Sequence, residues 1–95
     1  MQAYRYKFAA DVEMSEVSAS LLLATWTTES LHGEARVRLD SSHAFDAAKR
    51  SCVIDAETDV GRDLNRVFVG LLRREFGEMS FRVERLTKLP EPAPC

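Results

Sequence analysis

The chain of 95 residues has few cysteines, few glycines and no long apolar run, and each scarcity excludes a class of protein. Two cysteines, Cys52 and Cys95, are too few for a disulfide framework, so we expect both thiols to be free. The four glycines are too scattered for a phosphate-binding loop or a dinucleotide fingerprint. No apolar run approaches the ~20 residues of a membrane helix, and the first residues lack the apolar core of a signal peptide. We therefore expect no membrane contact and a cytoplasmic location.

Histidine is also scarce, and neither His32 nor His43 has a metal ligand at helical or Cys-x-x-Cys spacing. We therefore expect no metal and no cofactor. His32 precedes Gly33 and is interpreted as part of a helix C-terminal cap. His43 would form an acid–base pair with Asp46 or a nucleophilic pair with Cys52, but no substrate-positioning group lies nearby and a buried thiol is unreactive. No catalytic residue is predicted, and any chemical role of His43 or Cys52 stays open.

Composition and charge describe an ordinary small globular domain. With 45% hydrophobic and 29% charged residues, the chain has material for one core. A net charge of −2 gives no reason to expect nucleic acid or an anionic membrane as the main partner. Any such role would have to come from a local patch.

The first two predicted elements are a strand and a helix. Strict alternation over residues 4–8 predicts a strand with one buried face. That buried face would carry Tyr4, Tyr6 and Phe8. Because these aromatics share the buried side, the exposed stacking platform of an RNA-binding sheet is missing, and we do not expect nucleic-acid binding. Asp11 is the predicted N-cap of a helix over residues 13–31, which Gly33 closes.

Three further strands are predicted from apolar alternation. Residues 35–39 and 51–56 alternate and predict strands two and three, and residues 81–83 mark strand four. The intervening residues 40–49 are too many for a tight hairpin turn and predict a protruding loop.

A second helix lies between strands three and four. Thr58 and Asp59 open it, and Gly77 closes it. Gly70, in the middle of this helix, suggests close packing against a neighbour. The element order predicts an α+β, ferredoxin-like βαββαβ sandwich, with a four-stranded antiparallel sheet and two helices on one face. Residues 1–88 would form this single domain, and residues 89–95 a Pro-rich C-terminal tail.

The open face of the predicted sheet carries a basic strip. Its members are Arg5, Lys7, Arg36, Arg38 and Arg82. Such a strip can hold a phosphate or another anion. The alternative is a set of solvated cross-strand charge pairs that oppose aggregation.

Helix one carries more apolar surface than one sheet can bury. At 100° per residue, one apolar stripe contains Met14, Val17, Leu21 and Ala24. A second, displaced stripe contains Ala19, Leu22, Leu23 and Trp26. The other helix would cover part of this second stripe, but Leu23 lies nearly opposite Leu21 and should stay exposed in a monomer. We predict that Leu22, Leu23 and Trp26 contact a second copy of the chain or another protein.

These observations favour a non-enzymatic protein-interaction or homo-oligomerisation module. The alternative is a small enzyme or ligand-binding domain that holds a phosphorylated or carboxylated metabolite on the basic strip. The predicted fold hosts many unrelated functions and does not choose between them.

Overall fold

The structure is a computed structural model that describes residues 2–86. The elements are β1 (Ala3–Phe8), α1 (Met14–His32), α2 (Glu34–Asp40), β2 (Ser42–Asp46), β3 (Ser51–Asp55), α3 (Asp59–Phe76), a 3₁₀ turn (Glu78–Ser80) and β4 (Phe81–Leu86). The predicted tail at residues 89–95 lies outside the described residues.

The four strands form one antiparallel sheet in the order β2-β3-β1-β4. The longer helices α1 and α3 contribute to one hydrophobic core together with the inward face of the sheet. The prediction of an α+β domain with a four-stranded antiparallel sheet is confirmed. The prediction of two helices is wrong, since three helices lie within residues 2–86.

The core forms around Tyr6 on the central strand β1. Its ring meets Phe68 of α3 edge-on, with ring centroids 5.0 Å apart, and its hydroxyl donates to Asn65 Oδ1 at 2.5 Å. Phe8 is also buried, and Tyr4 packs against the same cluster. The predicted inward face of the first strand is therefore confirmed.

The predicted second strand at residues 35–39 is wrong, because this segment forms the helix α2. Of its three alternating apolar residues, only Val37 is buried, while Ala35 and Leu39 are exposed. The helix instead gains ion pairs at i, i+4 spacing. These are Glu34–Arg38 at 2.5 Å and Arg36–Asp40 at 3.5 Å. An alternating pattern of this length fits a short helix with one buried side chain as well as it fits a strand.

The second strand lies further along the chain, in the segment predicted to be a loop. β2 pairs with β3 and forms a sheet edge, so the hairpin loop contains only residues 47–50. Arg50 in this loop has a positive φ of 54°, and its guanidinium donates to the carbonyls of Ala9 and Val12. The loop is therefore fixed to the chain between β1 and α1.

The predicted Asp11 N-cap is also wrong. The helix α1 begins at Met14 with Glu13 as N-cap, and no side chain caps it. At its other end Gly33 takes a φ of 88°, and its N–H donates to the Glu29 carbonyl at 2.7 Å, as predicted for a C-terminal glycine. The same glycine directly precedes α2, so it joins two helices and not a helix and a strand.

The start of α3 is closely packed. The Thr58 hydroxyl accepts the Gly61 N–H at 2.9 Å, which confirms the predicted cap, and donates to the Asp40 carbonyl at 2.5 Å. A Cβ atom on Gly61 would lie 2.2 Å from the Asp55 carbonyl oxygen. Gly70, which was predicted to pack closely, has no atom within 4 Å of such a Cβ. The close approach therefore occurs at Gly61.

The two glycines of α3 should respond oppositely to alanine. We expect Gly61→Ala to destabilise the fold by roughly 1–3 kcal/mol, because the new methyl group meets backbone. Gly70→Ala should stabilise it by up to about 1 kcal/mol through helix propensity alone. Urea unfolding of both variants measures the two changes. Shifts of the same sign would contradict the different surroundings of the two residues.

Candidate functional site

The outer face of α1 groups three exposed large apolar side chains on one helix. We define this face by Ser15, Ala19, Leu22, Leu23, Trp26 and Ser30. Leu22, Leu23 and Trp26 are 49%, 48% and 56% exposed, respectively. The inner stripe predicted from the sequence is buried as expected, so α1 is apolar on two sides. A helix that is apolar on both sides normally has both sides covered.

Hydroxyl groups on α1 do little to make this helix polar. Thr25, Thr27, Thr28 and Ser30 each donate to the carbonyl four residues earlier, at 2.8–3.1 Å. Their donors are satisfied within the helix. Of these four residues only Ser30 belongs to the outer face of α1, whose large side chains Leu22, Leu23 and Trp26 present hydrocarbon and indole surface to solvent.

The exposed surface of α3 is different in kind. It carries ion pairs along its length. They are Arg62–Asp59, Arg66–Asp63 and Arg73–Glu78. By contrast, the outer face of α1 contains no charged residue, and charge returns only at its flanks, at Glu16 and Glu29. The two helices cover the same sheet, but only α3 has the polar outer surface of a solvated helix.

A hollow of about 250 Å³ lies beside the outer face of α1, between this helix and α3. It is lined by Glu16, Ala19, Ser20, Leu23 and Glu75. The small side chain of Ala19 leaves room there. Within residues 2–86, the carboxylates of Glu16 and Glu75 have no ion-pair partner. The hollow thus combines an apolar wall with two available hydrogen-bond acceptors.

The basic strip on the open sheet face is smaller than predicted. Arg36 and Arg38 lie on α2, where Asp40 and Glu34 pair with them, so these two residues do not belong to the strip. The sequence analysis placed both arginines on the sheet because it predicted a strand at residues 35–39.

The remaining members of the strip are Arg5, Lys7 and Arg82. Arg5 donates to Glu84 Oε2 at 2.9 Å, and this hydrogen bond lowers the pKa of Glu84. Lys7 and Arg82 are directly opposite each other on β1 and β4, and neither forms a hydrogen bond or ion pair among the described residues. Like charges in this position repel each other. Lys7 and Arg82 also act on the Glu84 carboxylate at longer range, so the strip contains one arginine hydrogen-bonded to Glu84 and two cations without an ion pair of their own.

Neither of the two pairs considered for His43 is formed. His43 and Asp46 lie three residues apart on β2 and so point to opposite faces, and Asp46 Oδ1 accepts the Lys49 N–H at 3.0 Å. His43 lines a shallow groove of about 450 Å³ between α1, α2 and β2. His32 Nε2 lies 2.7 Å from Asp63 Oδ2, a contact between α1 and α3 that the sequence analysis did not predict.

Cys52 lies where the sequence placed it, on the inward face of β3. It is fully buried between its cross-strand neighbours Tyr6 and Phe45, and burial raises its pKa to about 12. His43 pairs with Ile54 and not with Cys52. The thiol is therefore protonated and enclosed.

Residues 2–86 contain no group of three or more His, Cys, Asp or Glu side chains that could hold a metal ion. None of the helices in this range is both long and apolar enough to cross a membrane. Comparisons with family models, with curated proteins and with solved structures find no match for the chain. The candidate sites therefore rest on geometry and chemistry.

The state of Cys52 can be tested directly. In a Cys95→Ser variant, we expect a thiol reagent to leave Cys52 unmodified at pH 9, where an exposed thiol is largely ionised, because the folded thiol ionises only near 12. Absorbance of the released chromophore measures the reaction, and urea-unfolded protein is the control that should react within the mixing time. Rapid modification of the folded protein would contradict the assignment.

Proposed function

We propose that the chain is a non-enzymatic protein-interaction module whose binding surface is the outer face of α1. The observation that carries the proposal is the grouping of Leu22, Leu23 and Trp26, each about half exposed, on a helix face without charge. Tryptophan is strongly enriched among the residues that dominate binding energy, and contiguous exposed apolar surface is typical of interfaces.

The fold class proposed with this function is a ferredoxin-like sandwich with one added helix. From its other edge the sheet order is β4-β1-β3-β2, with antiparallel neighbours, and α1 and α3 each connect two strands that have one strand between them. These features support the assignment. α2 is then an extra element between α1 and β2.

We also propose a cytoplasmic location. Its support is that Cys52, the cysteine within the described residues, is a buried free thiol in the core and not part of a disulfide.

The interaction surface should be separable from the fold. We expect Leu23→Glu and Trp26→Ala to change the unfolding free energy by no more than about 0.5 kcal/mol, because neither side chain completes the core. Leu39→Glu on α2 is the matched control, since Leu39 is 83% exposed and is not part of the outer face of α1. Urea unfolding at low protein concentration makes the comparison.

Binding can be tested without knowing the partner. A photo-crosslinking amino acid at position 23, introduced in the cells that express the chain, should give one discrete adduct, and the same group at position 39 should not. The adduct should disappear with Trp26→Ala, because removal of the indole removes the main anchor of the surface. Equal crosslinking at both positions, or an adduct that survives Trp26→Ala, would overturn the proposed function.

A second candidate is favoured by the two unpaired cations Lys7 and Arg82. They line a hollow of about 220 Å³ at the start of β4, and a bound phosphate or carboxylate would relieve their repulsion. We therefore infer, as the alternative, an anion-binding role for this corner of the sheet.

The anion site is tested by thermal unfolding with added inorganic phosphate. If the corner binds phosphate, we expect the Tm to rise with phosphate concentration in the natural chain and to stay constant in Arg82→Ala, because only the folded state holds Lys7 and Arg82 close together. Arg66→Ala, which removes an exposed arginine from α3, is the control. A rise that persists in Arg82→Ala would show a general salt effect and remove this candidate.

A further inference from the structure

We propose that the partner of the outer face of α1 is a second copy of the chain, packed as an antiparallel helix pair in which Trp26 of each copy enters the hollow beside Ala19 of the other. This inference rests on the proposed function, because it names the occupant of the same surface. Three observations support it: the order of residues along the face, the shape and chemistry of the hollow, and the distribution of charge.

The residues along the outer face of α1 match each other in pairs under a two-fold rotation. Ala19 and Trp26 lie equally far on either side of the midpoint between Leu22 and Leu23, and so do Ser15 and Ser30. A two-fold axis at this midpoint places Leu22 beside Leu22 and Leu23 beside Leu23 of the second copy, and it sets Trp26, the largest side chain of the face, opposite Ala19, the smallest. Steps of three and four residues along this face are the spacing by which helices pack at a shallow angle.

The hollow is suited to an indole. Its volume of about 250 Å³ lies next to Ala19, the residue that the axis brings opposite Trp26 of the second copy. Leu23 supplies an apolar wall, and the carboxylates of Glu16 and Glu75 line the same hollow. A buried indole N–H usually finds an acceptor, and these two carboxylates have no ion-pair partner within residues 2–86. In the pair, Trp26 of the second copy therefore contacts an apolar wall and has a hydrogen-bond acceptor within the same hollow.

Charge does not oppose the pair. The centre of the face is uncharged, and the flanking Glu16 and Glu29 lie on opposite sides of it. In an antiparallel pair each side of the seam meets the same side of the other helix. Glu16 therefore lies near Thr27 of the second copy and not near its Glu29, so the acidic flanks do not face each other.

The expected dimer is weak. The 19 residues of α1 span about 28 Å, and a single helix pair of this length covers less than the roughly 800 Å² per partner of a standard interface. We therefore expect a dissociation constant in the micromolar range. Trp26, the single tryptophan of the chain, reports the contact, and its emission should shift to shorter wavelength as the protein concentration rises.

The decisive experiment exchanges the large and small residues. Ala19→Trp fills the hollow and Trp26→Ala leaves it unoccupied, so each variant alone should dimerise at least about tenfold more weakly than the natural chain. Mixed together, the two variants should form a heterodimer. In one contact Trp26 of the first variant meets Ala19 of the second, as in the natural pair. In the other contact the new tryptophan at position 19 meets the new alanine at position 26. Native mass spectrometry separates the heterodimer from both homodimers by mass. Ala35→Trp, at an exposed alanine on α2, is the control that should dimerise like the natural chain.

The outcomes distinguish this inference from the proposed function. Recovery of the heterodimer in reducing buffer, with both variants folded by circular dichroism, supports the antiparallel pair. A natural chain that stays monomeric by light scattering at millimolar concentration overturns the dimer, and so does a mixture without heterodimer. In either case the photo-crosslinking at position 23 still decides separately whether the outer face of α1 binds another protein.

Discussion

The burial of Tyr6 at the centre of the sheet is the constraint on which the rest of the domain depends. β1 is bonded on both sides, by β3 and β4, and Tyr6 meets α3 through Phe68 and Asn65. A slip of one residue in either pairing would turn this ring and its neighbours to the open face. Fixing Tyr6 inward therefore also fixes the outward positions of Arg5 and Lys7, so the charge on the open sheet face is a consequence of the core.

The two long helices both pack on this core, but their outer surfaces differ. α3 buries one stripe, led by Leu64, Phe68 and Leu72, and exposes a surface of ion pairs. α1 also buries one stripe, but its outer face keeps apolar side chains that contribute nothing to the core, such as Leu23 and Trp26. Apolar surface is not needed there for folding. Its presence on one helix and its absence on the other support the proposed contact of α1 with another protein.

Prediction from the sequence succeeded where apolar spacing had a single interpretation. Apolar residues recur at helical spacing along the whole of α3, and they alternate strictly in β1. Each pattern fits only one type of element, and both predictions were correct. The prediction for residues 34–46 was wrong, because the alternation around Val37 fits either a strand or a helix with one buried residue. In the structure, the ion pair of Glu34 with Arg38 and the hydrogen bond from Thr58 to the end of α2 support the helix. The second of these contacts comes from a distant segment, and single-sequence patterns do not contain it.

The same distinction applies to the candidate sites. The exposure of Leu22, Leu23 and Trp26 was predictable because it depends only on the geometry of one helix, whereas the hollow beside Ala19 needs Glu75 from another helix and was not. A surface formed mainly by one helix can change without disturbing the core beneath it, because its side chains point away from that core. Charges on the open sheet face lie opposite each other across paired strands, as Arg5 does with Glu84, so a change there also affects the pairing of β1 with β4. The outer face of α1 is therefore the part of the domain whose chemistry is least determined by folding.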